Sequence, residues 1–131
     1  MKNLAVIGRI LFALPFGVMG LNHFLMRDYF LGMMSTFIPG GAYTILLTGA
    51  LLILACVLII MNKFIKTVCY SLAGILLIFI LTIHIPGLST SNWQIALMEL
   101  LKDTALTGGA IMIALYSDAL KELSFKKGKR K

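Results

Sequence analysis

The sequence predicts an all-α membrane protein, a bundle of four transmembrane helices in up-down-up-down order. The 131-residue chain is 60% hydrophobic with a mean hydropathy of +0.96, whereas a soluble domain holds about 45–50% apolar residues. Four stretches approach the ~20 apolar residues that cross a bilayer. They are apolar on all sides, unlike the alternating strands of a barrel. Because lipid cannot hydrogen-bond an open backbone, we expect helices.

The four predicted helices cover residues 4–24, 42–61, 67–85 and 95–116. Arg9 interrupts the first apolar run and no small-x-small cleavage site follows it, so we expect this run to remain as a helix rather than to be a cleaved signal peptide. Pro15 should kink this helix. The short segment 62–66 makes the second and third helices antiparallel neighbours. Residues 1–120 thus form one transmembrane domain, and 121–131 a basic tail.

Two loops are expected on the outer side. Residues 27–39, RDYFLGMMSTFIP, are unusually apolar for a loop but too short to span, so the segment should lie at the interface or dip into the bundle. Residues 86–94 contain Trp93, a typical interfacial anchor.

The net charge of +7 comes mainly from lysines and arginines near the chain termini and in the second loop. By the positive-inside rule this distribution predicts a bacterial inner-membrane protein with both termini cytoplasmic. It argues against nucleic-acid binding, and the tail is expected to contact anionic lipid. Cys56 and Cys69 fall on the reducing side without a C-x-x-C motif, so we expect buried apolar thiols rather than a disulfide.

Ionisable residues from three predicted helices fall in one layer near the outer face. Lys102 and Asp103 follow Glu99 at i+3 and i+4 and so share a helix face. The candidate catalytic residues are His84, Asp103 and Glu99, of which Glu99 and Asp103 would carry protons and His84 would orient the ligand. The candidate ligand-binding residues are Asn22, His23 and Lys102. Arg9 lies apart near the cytoplasmic face, where Asp118 is its expected partner.

This layer allows two interpretations. In the first, Lys102 neutralises a carboxylate and the histidines close the bundle. In the second, a ligand binds between the helices, since intramembrane ionisable residues are candidate functional sites by default. A quinone head, planar with two carbonyl acceptors, suits the donors present. A metal site is not expected, because no H-x-x-x-H or E-x-x-H pair occurs on one helix.

Several motifs resemble the DoxX family of small bacterial membrane proteins, over the chain up to about residue 119. They are RILFALPFGVMGLNHF, FIPGG, HIPG and LLKDTALTGGAIMIA. The resemblance implies a four-helix membrane bundle and a link to respiratory redox chemistry, because some relatives are subunits of thiosulfate:quinone oxidoreductases. It also places His23, Lys102 and Asp103 at the family's polar motif positions. Where some relatives have an acidic residue in helix two, this chain has Thr44, Thr48 and the hydroxyl of Tyr43.

We therefore expect a membrane subunit that binds a quinone or similar lipophilic molecule near the periplasmic face and assists electron or proton transfer. It has no cofactor motif of its own, so a redox or other membrane protein partner would supply electrons. The alternative is a non-catalytic scaffold or assembly component of a partner complex. A transporter fits least, since the cytoplasmic half offers only Arg9 and Asp118 as polar groups. The oligomeric state, including a homo-oligomer, stays open.

Overall fold

The computed structural model describes residues 2–34 and 38–128, with side chains for residues 4–34 and 38–117. All regular secondary structure within these ranges is helical, which confirms the all-α prediction. In chain order the elements are α1 (Lys2–Leu25), α2 (Arg27–Met33), α3 (Ala42–Ile60), α4 (Ile65–Phe79), a π-helical segment (Ile80–His84), α5 (Ile85–Gly87) and α6 (Trp93–Gly128).

Three helices in the described part of the chain are long and apolar enough to cross a membrane, which indicates a membrane protein. They cover Leu4–Leu25, Ala42–Ile60 and Ile65–Gly87, the last being α4 with the π-helical segment and α5. The fourth predicted span falls within α6, which is 36 residues long but carries charged residues in its N-terminal part and beyond residue 120. The structure thus supports three of the four predicted spans by length and composition.

The helices pack mainly as two pairs, α1 with α3 and α4 with α6, and α3 joins the pairs through α4. Within each pair the helices run in opposite directions. Residues near the end of α1 meet the start of α3, and His84 at the end of the π-helical segment meets Asp103 near the start of α6.

Glycines bring α1 and α3 into backbone contact. A Cβ atom added to Gly20 would lie 2.8 Å from the carbonyl oxygen of Gly49, and one added to Gly49 would lie 2.9 Å from the carbonyl oxygen of Gly20. Close approach through small residues is the usual way for membrane helices to pack, because lipid gives apolar side chains no preference for each other. These two glycines fix where α1 crosses α3.

The hydrophobic core fills the half of the bundle near the α3–α4 connection. Ile59, Leu72 and Cys69 are its largest fully buried side chains. Cys56 and Cys69 are both free thiols in this core, as the sequence predicts. The opposite half, where α1 ends and α6 begins, holds a cavity; we call it the cavity half.

Pro15 lies inside α1, which is helical from Lys2 to Leu25. Two details differ from the predicted elements. The third helix extends from Ile65 to Gly87 but changes to π geometry over Ile80–His84, which no hydropathy pattern signals. The backbone of α6 stays helical to Gly128, whereas the sequence predicts that the last helix ends at residue 116.

Candidate functional site

A mainly apolar cavity of about 650 Å³ lies among the helices in the cavity half. Small-molecule sites in proteins typically enclose about 300–1,000 Å³ and carry a few polar groups in an apolar lining. The lining side chains come from every helix except the short α5, and the ionisable ones are His23, His84, Glu99, Lys102 and Asp103.

The most buried polar contact of the cavity joins His84 to Asp103. Nε2–H of His84 donates a hydrogen bond to Oδ2 of Asp103 at 2.9 Å, and the two side chains are only 8% and 6% exposed. The π-helical segment positions the histidine: the backbone N–H of Ile85 donates to the carbonyl of Ile80, five residues earlier. Such π turns are often found at functional sites, because the wider turn redirects one side chain.

Lys102 extends this pair into a chain of charges toward the surface. Its Nζ lies 3.5 Å from Oδ1 of Asp103 and donates a hydrogen bond to the carboxylate of Glu99. The exposed fraction rises from 6% at Asp103 to 33% at Glu99 and 38% at Lys102. This row of charged side chains therefore connects the cavity interior with the partly exposed side of α6.

The charges of the cluster formed by His84, Asp103, Lys102 and Glu99 do not cancel when His84 is neutral. Two carboxylates and one ammonium sum to −1, since −1 −1 +1 = −1. Because uncompensated charge is costly away from water, this excess negative charge favours a hydrogen-bond donor or a positive charge beside the two carboxylates.

His23 approaches the cavity from α1, and its tautomer follows from its contacts. A carbonyl oxygen can only accept, so Nδ1–H donates to the carbonyl of Met19 at 2.7 Å. Nε2 is then the ring nitrogen left for another partner. The ring is 6% exposed and stacks on Phe30 of α2, with ring centroids 4.1 Å apart and an interplanar angle of 14°.

The first part of the predicted outer loop lies against the end of the bundle. Residues Arg27–Met33 form the short helix α2, in which no residue is buried, and Phe30, Met33 and the following Met34 contribute to the cavity wall. A turn through Gly40 and Gly41, both with positive φ, then leads into α3. Thr44 in the first turn of α3 donates to the carbonyl of Pro39 at 2.6 Å and also lines the cavity.

Five of the six residues predicted for the site line this cavity: His23, His84, Glu99, Lys102 and Asp103. Asn22 is half-buried but is not among the lining residues. Arg9 also lies outside the cavity lining, and its buried Nε has no hydrogen-bond partner among the described residues. The side chain of Asp118, its predicted partner, lies outside the described residues.

Sequence reasoning missed the apolar wall and the threonines of the site. Thr48 and Thr82 line the cavity, and Thr82 donates to the carbonyl of Ile78 at 2.6 Å. Hydroxyl groups in an apolar helix are so often paired with their own backbone that their presence alone gives no signal. The one sequence feature that pointed to the aromatic and methionine side chains of the cavity wall was the apolar composition of residues 27–39.

His84, Glu99 and Asp103 each offer a ligand atom within 4.8 Å of the others, which is the spacing of a metal site. However, the Lys102 ammonium group contacts both carboxylates. It supplies the positive charge that a metal ion would otherwise bring, so the arrangement favours proton chemistry over metal binding.

Fold and site together define a helical membrane protein with a ligand-sized apolar cavity and a buried charged cluster at one side of it. None of the protein-family models, curated proteins and solved structures compared with the chain matches it.

Proposed function

We propose that the protein is a DoxX-like integral membrane protein that binds the head of a lipophilic carbonyl compound, such as a quinone, and exchanges protons with it. The observation that carries the proposal is the cavity of about 650 Å³, apolar over most of its wall, into which a buried His84–Asp103 pair projects. Catalytic and binding groups commonly take this form, a few convergent polar atoms in an apolar pocket.

The polar groups of the cavity suit both the carbonyl (quinone) form and the hydroxyl (quinol) form of such a head. The Lys102 ammonium has three donors, and two carboxylates already orient it, so it can donate to a carbonyl oxygen. The free Nε2 of His23, when neutral, accepts from a hydroxyl. Phe30 stacked on His23 adds a flat aromatic surface beside these groups. Together they would orient a planar ring that alternates between carbonyl and hydroxyl forms.

Proton movement follows the gradient of exposure. The side chains of Glu99 and Lys102 are 33% and 38% exposed on α6, whereas those of Asp103 and His84 are buried at the cavity. His84 can release a proton into the cavity and recover it through Asp103 and Lys102. A bound quinone takes up two electrons and two protons in becoming a quinol; a membrane redox partner would supply the electrons, since the chain has no cofactor motif.

We place the protein in the bacterial inner membrane with four spans and cytoplasmic termini. The part of α6 that packs against α4 would be the fourth span. Lys63 lies at the α3–α4 connection, at the end of the bundle opposite the cavity. By the positive-inside rule that end faces the cytoplasm, so the cavity lies near the periplasmic face.

Titration with ubiquinone-1 in detergent tests the proposal, with the fluorescence of the single tryptophan, Trp93, as readout. Wild type should bind saturably. His84→Ala and Asp103→Asn should each weaken binding about 10-fold or more, because a hydrogen bond to a charged group is worth about 1.5–3 kcal/mol. Thr104→Ala is the matched control, since Thr104 neighbours Asp103 on α6 but does not line the cavity.

The scaffold interpretation gives a different result. In that case wild type shows no saturable binding of ubiquinone-1, while His84→Ala and Asp103→Asn lower the unfolding temperature of the protein in detergent. That pair of results would refute the proposed function and leave the cluster as a helix-joining network.

A further inference from the structure

We infer that the ligand is a long-tailed membrane lipid that enters from the side, between α1 and α4, with its tail left in the bilayer. This inference rests on the proposed function and identifies the class of ligand. The cavity wall itself is open at the surface there: Leu14 and Val18 of α1 and Ile78 of α4 line the cavity, yet they are 47%, 56% and 57% exposed.

The gap follows from how the helices pair. α1 packs on α3, and α4 packs on α6, while α1 and α4 do not pack extensively on each other within the described residues although both line the cavity. Phe16 of α1 and Leu76 of α4 belong to the hydrophobic core and also line the cavity, so the core forms one wall of this space. The result is a lateral opening, which we define by Leu14, Val18 and Ile78.

The depth of this opening places it among acyl chains. Val18 precedes Leu25, the last residue of α1, by seven positions, and Ile78 precedes Gly87, the last residue of α5, by nine. At ~1.5 Å per residue these side chains lie roughly 10 Å and 13 Å below that end of the bundle. Since the hydrocarbon core is about 30 Å thick, an opening at this depth faces lipid rather than water.

The end of the cavity beside His23 has an apolar lining. Phe30 and Met33 of α2 and the following Met34 line it, and Phe30 stacks on the His23 ring. The charged residues of α6 that line the cavity are paired with each other. The ionisable groups of the cavity thus come from α6, the π-helical segment and His23 of α1, whereas the side chains of the lateral opening are apolar. A molecule with a polar head and a long apolar tail matches this arrangement.

Two probes with the same head test the inference. Ubiquinone-0 has no isoprenoid tail, and ubiquinone-2 has a tail of two isoprenoid units. Both are titrated into wild type in detergent. The probe concentration is expressed relative to the micelle volume, which removes the effect of partitioning into the micelles. We expect ubiquinone-2 to bind at least 10-fold more tightly. Val18→Trp should abolish this gain, so that both probes bind the variant with similar affinity. Leu21→Trp is the control, because Leu21 is also 56% exposed on α1 but does not line the cavity.

The outcomes separate the two proposals. If ubiquinone-0 and ubiquinone-2 bind wild type equally, or if Val18→Trp affects them no differently from Leu21→Trp, the lateral opening is not a tail site, although the head site stands. If neither probe binds wild type, the proposed function itself fails. Should Val18→Trp not fold, Ile78→Trp closes the opening from α4, with Leu81→Trp as its control, since Leu81 is exposed but does not line the cavity.

Discussion

Replacing Gly49 by alanine should destabilise the protein, although alanine is the better helix former. The added Cβ would lie 2.8 Å from Cβ of His23, 2.9 Å from the carbonyl oxygen of Gly20 and 2.9 Å from the ring of Phe24. The first two atoms belong to the α1 backbone or are attached directly to it, so no rotamer change can move them. α1 would have to shift away from α3.

The size of the effect can be estimated from two opposing contributions. Gly→Ala in a helix interior gains up to about 1 kcal/mol, and overpacking costs about 1–3 kcal/mol. Because Gly49 meets backbone rather than a flexible side chain, the upper part of that range applies. We therefore expect a net loss of about 1–2 kcal/mol in the free energy of unfolding.

Unfolding of the detergent-solubilised protein by added SDS, followed by circular dichroism, measures this loss. Gly74→Ala is the matched control, since Gly74 lies within α4 and a Cβ there meets nothing within 4 Å. It should leave stability unchanged or raise it by up to about 1 kcal/mol. If Gly49→Ala proves as stable as Gly74→Ala, α1 and α3 do not cross at these glycines, and the placement of His23 in the cavity fails with them.

Three further predictions concern the cavity. Phe30→Ala removes the stacking on His23, which is worth about 0.5–1.5 kcal/mol. The affinity for ubiquinone-1 should therefore fall about 2–10-fold, while the unfolding temperature changes little. An unaltered affinity would exclude α2 from the site. Zinc should not raise the unfolding temperature of wild type but should raise that of Lys102→Met, which lacks the competing ammonium; stabilisation of wild type would make the site a metal site. A double-mutant cycle on His84 and Asp103 should give a coupling of about 0.6–1.7 kcal/mol, from the average to the largest value typical of membrane helices. A coupling near zero would show that the 2.9 Å contact does not form.

The helix boundaries follow well from sequence where an apolar run alone decides them. Predicted spans 4–24 and 42–61 end within a residue or so of the apolar segments Leu4–Leu25 and Ala42–Ile60. Hydropathy fails at the π-helical segment, because Ile80–His84 continues the same apolar run and differs only in hydrogen bonding. It also misses the helical continuation of α6, because a charged segment carries no apolar signal for a helix.

Local geometry explains which parts of the site could be predicted. Glu99, Lys102 and Asp103 share a face at helical spacing, and their contacts were expected. Asn22 neighbours His23 in sequence, but successive residues on a helix point about 100° apart, so only one of the two reaches the cavity. The stacking of Phe30 on His23 depends on how α2 folds back, which no local pattern in the sequence specifies.

The division of the bundle into two halves is the physical reason to regard the charged cluster as a site rather than a brace. Gly20 and Gly49 hold α1 against α3, and apolar packing joins α4 to α6 in the core half. Stability does not require buried ions beyond this, since well-packed apolar residues in place of a buried ion pair are often neutral or stabilising. A His84→Leu, Asp103→Leu double variant should accordingly keep or raise the unfolding temperature while losing ubiquinone-1 binding. Loss of the fold in that variant, with binding never observed in wild type, would show that the cluster exists to join the helices.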